Sequence, residues 1–470
     1  MRAKPYIGLA RFFVFSIMTQ TDLVIIGAGA AGLFAAGVAA EAGLRVVLLE
    51  RRHRPGLKLL MCGNNRCNFS HAGSAEELLH AYGEPVASFL HDAICALPPE
   101  KLRDEFARMR LESIVSGSRI YPASGKADDV LHALTDRLRD REVPFMTNCP
   151  VESIQREADG LWTIACRNLT LQSHAVLLCA GGFSFPKTGS VGDGEKFSRE
   201  LGLGFEPARA GLVAQELPHD DALSQLSSDM LIELPDVAAS YPNGLSARGN
   251  LFIDRGLLRG SAIYDLNRQA ARKNAPAREL HLDLFPQLSL AALSKKIEQL
   301  QSRMSDRARL LNALGLPPSI AGWLAQSLRN ITAEALKNIA LRNSAPRSIK
   351  EAIVTVGGIA RDEFDPATME CHKLPGLYAA GEVLDIDGPT GGYNLHAAFA
   401  TGYLAVQSLA RKLHKSAPST PTPTKPQVHS DSKKPNKPTK APMRTSTTGA
   451  KGTKSAWGAH FWDNRKGKRP

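Results

Sequence analysis

Nowhere do the 470 residues hold an apolar run of the roughly 20 residues that a bilayer-spanning helix needs, so no such helix is expected. Cysteine is scarce and odd in number, seven scattered over the chain, which suits a reducing cytoplasm better than the disulfide framework of a secreted protein. The thirteen histidines form no HExxH pair and the cysteines no CxxC, so no metal site is expected. Acids are nearly missing from one region. Lys415 to Pro470 holds 2 acidic residues against 13 Lys and Arg, leaving 45 basic against 44 acidic residues elsewhere, so the net charge of +12 belongs almost wholly to this stretch. The same stretch is rich in Pro, Ser, Thr and Lys and poor in anything that could build a core, and residues 414–470 read as a disordered basic tail. Its end sets Trp457, Phe461 and Trp462 beside Arg465, Lys466, Lys468 and Arg469, a composition able to stack on nucleic acid or meet an anionic surface, or simply to stay solvated.

What the chain does have is concentrated first in Thr21 to Glu50. An apolar strand runs into Gly27-x-Gly29-x-x-Gly32, a helix follows, and a second strand ends on Glu50, the order of a dinucleotide-binding fingerprint. Gly27 allows the tight turn, Gly29 leaves room for a pyrophosphate, and Gly32 lets the helix pack closely on the strand. The N–H groups and dipole of the helix start, around Ala28, Ala30 and Ala31, favour phosphate charge. Glu50, with Arg51 beside it, is placed to accept hydrogen bonds from a ribose diol. The first twenty residues resemble a signal sequence only superficially: Arg11 interrupts the apolar run, no small-residue cleavage site follows, and Met18 lies just before the fingerprint. Residues 1–20 therefore read as an extension from a misassigned start.

After Glu50 comes GLKLLMCGNNRCNFS, in which Lys58, Gly63, Asn64, Arg66, Cys67 and Asn68 would surround a dinucleotide with donors and fixed cations. Cys62 and Cys67 have a Cys-x4-Cys spacing that would also suit a redox dithiol relaying electrons from a flavin. Near the other end, GLYAAGEVLDIDGPTGGYNLHAAFATGYLA repeats the pattern of strand, glycine turn and helix, with Gly381 and Glu382 in the first turn and Gly391, Gly392, Tyr393, Asn394 and Leu395 in the second. Such a return closes the sheet with the C-terminus and sets a helix start against a flavin, which favours FAD over NAD. No second GxGxxG occurs, so any NAD(P)H would bind transiently near the ring. His396 and Tyr393, with Cys67, are the candidate catalytic groups.

Taken with RIYPASGKADDVLHAL and VLLCAGGFSFPKTGSVGDG, these motifs resemble a bacterial family of NAD(P)/FAD-dependent oxidoreductases, the aminoacetone-oxidase-like FAD-binding flavoproteins, which includes a bile-acid-reducing member. Lys58, Arg66, Cys67 and Asn68 match that pattern, whereas Cys62, Asn64 and Asn65 depart from its Ser-Gly-Gly-Gly. The resemblance implies a discontinuous α/β, Rossmann-like FAD-binding domain in residues 21–207 and 350–413, with a β-barrel-like and helical insert in 208–349 supplying the substrate pocket. Val151, Ala180, Gly181 and Gly182 complete the candidate cofactor contacts. The expected function is hydride transfer through the flavin to or from a small molecule, an unsaturated carbonyl compound or an amine. An RNA-associated or RNA-modifying flavoprotein using the basic tail, a dithiol reductase using Cys62 and Cys67, and a non-catalytic flavin sensor are the other readings open at this point.

Overall fold

The computed structural model describes residues 21–416 apart from 228, 229, 276 and 278. The N-terminal extension and almost all of the basic tail lie outside the described residues. β1 (Thr21–Ile26) is buried along nearly its whole length and pairs in parallel on both sides, with β2 (Val46–Leu49) and with the strand Leu169–Leu178. A strand covered on both faces has to be continuously apolar, which explains why Leu23 to Ile26 shows no alternation. α1 (Ala30–Glu41) is likewise apolar all round, because one side lies on the sheet and the other against the C-terminal helix Tyr393–Ser416. Small residues allow that approach: a Cβ on Gly402 would stand 3.1 Å from the Ala31 carbonyl oxygen.

The seven-stranded sheet runs Phe145–Met146, β2, β1, Leu169–Leu178, Trp162–Cys166, Val151–Arg156. Leu377–Ala379 pairs in parallel with the last residues of Leu169–Leu178, so the C-terminal part of the chain completes the sheet one strand away from the fingerprint. The antiparallel meander of residues 151–178 occupies the other half of that long strand. This is a Rossmann-type α/β fold.

Among the described residues there are two hydrophobic cores. One gathers residues from Leu23 to Leu203 and from Ile359 to Ala410; the other lies wholly within Leu217 to Leu341. The second is built on an antiparallel seven-stranded sheet, with Ile232–Ser240 and Ser246–Asp254 near its centre, packed by the helix Ser261–Arg272 and sharing its core with the helices Leu290–Gln301, Arg307–Ala313 and Pro318–Ser327. Among the described residues no helix is long and apolar enough to cross a membrane.

Candidate functional site

The turn between β1 and α1 forms the floor of a cleft of about 1290 Å³, measured out to its open mouth. Gly27 has φ +104°, and a Cβ there would stand 2.4 Å from the Cys179 carbonyl oxygen; one on Gly32 would stand 1.9 Å from the carbonyl oxygen of Gly27. Both positions are closed to any side chain. Gly29 is the opposite case, since a Cβ there would meet no protein atom within 4 Å. It is also the N-cap of α1 and offers no side-chain cap, so the first amides of the helix keep their donors for something outside the chain. A cradle with bare donors and free space over its middle glycine fits a pyrophosphate.

Glu50 marks one end of the cleft. Its carboxylate accepts from the N–H groups of Ala28 at 2.9 Å and Arg52 at 2.7 Å, which fixes its direction, and burial raises its pKa above the ordinary glutamate value. Val151 and Cys149 line the wall on this side, and the Cys149 N–H donates to the Glu50 carbonyl. Arg51 also lines it, tied to Asp193 at 2.6 Å. Ala28, Ala30, Ala31, Ala180 and Gly181 complete the floor. A fixed acid at the end of β2 with two remaining lone-pair directions suits a ribose.

The other end is built around Lys58, on the short helix α2 (Leu57–Met61). Its Nζ donates to Ser184 Oγ at 2.6 Å and pairs with Glu382 Oε2. Glu382 Oε1 in turn accepts from Ser184 Oγ at 2.9 Å and from the Thr355 N–H at 2.8 Å. Cys62 follows at the C-cap of α2, four residues after Lys58 and thus on the same side of the helix, and also lines the cleft. Gly182 lies just outside, against Thr355 and Glu382, where a side chain would collide. Ser184 and Thr355 carry no motif of their own, and neither was among the residues singled out from the sequence.

The loop after Cys62 leaves the cleft. Gly63, Asn64 and Arg66 are exposed and do not line it; the Arg66 guanidinium lies over the Tyr121 ring at 4.4 Å. Cys67 has left-handed backbone, φ +55°, and its side chain is fully buried in the core. The dithiol expected of Cys62 and Cys67 is therefore divided: both are free thiols, but only Cys62 faces the cleft, and a disulfide approaching from outside has no access to Cys67. Asn68 is also outside the lining, its Oδ1 buried and without a hydrogen-bond partner among the described residues.

The second glycine turn carries residues 385–395. Asn394 and Leu395 line the cleft with Gly381 and Glu382, and Asn394 folds the turn on itself by exchanging hydrogen bonds with the Gly388 backbone at 2.8 and 2.9 Å. Gly391 and Gly392 both have positive φ and hold the turn against His71 and Ser70. Tyr393 stands behind it, stacked on His71 at 4.6 Å. His396 is farther back still: completely buried, with its ring between Ser70 Oγ at 2.7 Å and the Leu97 carbonyl at 2.9 Å, it does not line the cleft although its neighbours Leu395 and Ala397 do.

Burial lowers the pKa of His396 to about 4. The unfolded chain takes up this proton near the ordinary value of 6.5, so the stability His396 contributes is complete above 6.5 and is lost as the pH falls through 4. His396→Gln is expected to remove that loss, so the gap in stability between wild type and variant narrows steadily across this window in denaturant titrations. Parallel curves would contradict it.

Asp385 and Asp387, in the same turn, have partners that no motif marks. Asp387 lines the cleft, and both carboxylates are almost wholly buried. The helix Ser261–Arg272 meets them from the second core: Arg268 bonds Asp387 at 2.8 Å, Arg272 bonds Asp385 at 2.5 Å and also contacts Asp387, and Arg361 closes on Asp385 from the first core. Asp265 on the same helix accepts from the Thr390 N–H and hydroxyl at 2.7 and 2.8 Å. One helix face thus holds the loop that forms one wall of the cleft.

Residues 21–408 match the family described as HI0933-like protein Rossmann domain. Ribosomal RNA dihydrouridine synthase of Escherichia coli (strain K12) is 28% identical over 413 residues, 83% of this chain and 98% of that one. The 3-dehydro-bile acid delta(4,6)-reductase of Clostridium scindens is 27% identical over 412 residues, with the same coverage of 83% and 98%. Among solved structures, 3-ketosteroid delta1-dehydrogenase from Sterolibacterium denitrificans superposes with a TM-score of 0.49 at 15% identity, covering 84% of this chain and 100% of that one.

Proposed function

Since this chain belongs to the HI0933-like Rossmann family and is an FAD-dependent oxidoreductase, we propose that it reduces a carbon–carbon double bond conjugated to a carbonyl, with a uracil ring of ribosomal RNA as the substrate and NAD(P)H as the electron source. FAD supplies the hydride chemistry when bound. Gly27 to Ala31 would hold its pyrophosphate and Glu50 its ribose, and Lys58, Cys62 and Glu382 line the other end of the same cleft.

Lys58 carries the reading. Glu382 and Ser184 occupy two of its three N–H donors and hold the ammonium in place, which leaves the third for a carbonyl oxygen. A cation fixed in this way stabilises the oxygen charge that develops when the adjacent double bond takes up hydride, and it is in position before the reaction begins. The names of the two relatives support the same chemistry: forming dihydrouridine saturates a bond conjugated to the uracil carbonyl, and a delta(4,6)-reductase of a 3-dehydro bile acid acts on double bonds conjugated to the 3-keto group. The basic sequence from Lys415 to Pro470 favours the RNA substrate, because its charge would neutralise phosphate.

The test is an anaerobic one. Holoenzyme reduced with NADPH or NADH is mixed with ribosomal RNA lacking dihydrouridine, or with a 4,6-dien-3-one steroid, and the return of oxidised flavin absorbance is followed. Reoxidation by the RNA, with a uridine gaining two hydrogens by mass spectrometry, is the expected result. Reoxidation by the steroid alone would keep the reaction and move the substrate to a small molecule. A reduced flavin that responds to neither would remove the proposal.

A further inference from the structure

Adding hydride to one carbon of a conjugated double bond leaves the electron pair on its neighbour, and the reaction is complete only when that carbon receives a proton. The titratable groups lining the cleft are few and most are committed. Glu50 is bonded to two backbone amides at the ribose end, where Cys149 also lies, and Cys179, another free thiol of the lining, is buried beneath the Gly27 to Gly32 turn. Asp193 is paired with Arg51, and Asp387 is paired with Arg268 and Arg272. Glu382 is engaged by Lys58, Ser184 and Thr355, and so is held as an acceptor. Cys62 differs from all of these. It lines the same end of the cleft as Lys58, it is a free thiol only partly covered, and no hydrogen bond of its side chain ties it to another residue among those described.

Resting on the reduction proposed above, we infer that Cys62 is the proton donor of the reaction, delivering the S–H proton to the carbon α to the carbonyl while Lys58 holds the carbonyl oxygen. The two side chains project from the same side of α2, four residues apart, which sets them about 6 Å from each other at Cβ, a span that one carbonyl and its α carbon can bridge. In the step itself the S–H bond breaks, a C–H bond forms at the α carbon, and the enolate collapses to the saturated carbonyl. The sulfur is left as a thiolate beside the Lys58 ammonium and regains its proton from water at the open mouth of the cleft. Burial pushes the thiol up to about 11, with Lys58 acting in the opposite direction and Glu382 reinforcing the rise, so at neutral pH the group carries the proton that it is asked to give.

The experiment compares wild-type holoenzyme with Cys62→Ala in deuterated buffer, using whichever of the two acceptors above the wild type reduces. The ratio of flavin to protein absorbance reports that the variant is folded and loaded. The wild type is expected to place deuterium on a single face of the α carbon, read by NMR of the product. Cys62→Ala is expected to reduce the acceptor about 100-fold more slowly, the lower end of what a positioned acid contributes, and to scatter deuterium over both faces because water has replaced the thiol. A variant within about threefold of the wild-type rate would overturn the assignment. So would a slow variant that still labels one face, since that pattern marks a structural loss and leaves the donor in place. If the wild type reduces neither acceptor, the functional reading fails and takes this inference with it, an outcome visible before the variant is made.

Discussion

Gly29→Ala is expected to weaken FAD binding about 100-fold while the stability of the protein without cofactor changes by less than about 1 kcal/mol. The added methyl meets no protein atom within 4 Å, and the residue's φ of −81° is open to alanine, so folding has little to resist. The methyl does occupy the space into which a pyrophosphate must come to reach the α1 amides. Losing that approach costs about 3 kcal/mol by the usual conversion. Flavin fluorescence titration gives the affinity and a denaturant titration of the cofactor-free protein gives the stability. Gly32→Ala is the necessary comparison: its methyl would stand 1.9 Å from a backbone oxygen, so it should fail to fold at all. If Gly29→Ala bound FAD as the wild type does, the turn would not be the pyrophosphate cradle.

Arg272→Ala should lower stability by about 2 kcal/mol, less than the full cost of an uncompensated buried charge because Asp385 keeps Arg361 and Asp387 keeps Arg268. Arg272 contacts both Asp385 and Asp387, and these two residues are only 2% and 1% exposed, so the charges it neutralises are largely shielded from bulk water. The loss falls on the contact between the two cores, and it should appear as a lower midpoint in denaturant. Arg248→Ala provides the contrast. Its pair with Asp236 is a solvated one on the surface, and opening it should leave the midpoint almost where it was. Equal losses in the two variants would show that burial is not what makes the Arg272 network matter.

How much of this was legible in the sequence depended on how far apart the cooperating residues lie. The fingerprint from Gly27 to Glu50 could be read because its constraints are local: a tight turn, a close helix and an acid one strand away all fall within a single βαβ unit. The second glycine turn was legible for the same reason. The Lys58 cluster was not, since Glu382 lies 324 residues beyond Lys58 and Ser184 lies 126 beyond it, and no periodicity links such positions. The loop at residues 63–68 shows the limit of arguing from neighbourhood. Standing directly after the ribose acid it looked like cofactor-binding chain, yet five residues of α2 followed by a run of left-handed backbone carry Cys67 into the core. His396 is a candidate catalytic group from its place just after the second glycine turn; only the structure shows it held between Ser70 and Leu97. Asp385 and Asp387 were visible as acids in a glycine loop, but their arginines lie on a helix more than 100 residues earlier.

The pairing of Leu377–Ala379 with Leu169–Leu178 also governs the order in which the chain can fold on the ribosome. By the time β1, β2 and Leu169–Leu178 have emerged, the last of these strands has one edge bare over residues 176–178, and it stays bare until some two hundred more residues have been made. The segment made in between contains the whole of the second core, which can close by itself while the first waits. Gly381, Glu382, Asn394 and Leu395 all come after that late strand, so the cleft acquires its second wall only after the whole of the second core has been made. The second wall of the cleft thus depends on a parallel pairing that is slow to form because its partners are so distant in sequence, and until it forms the edge at residues 176–178 is open to unwanted pairing.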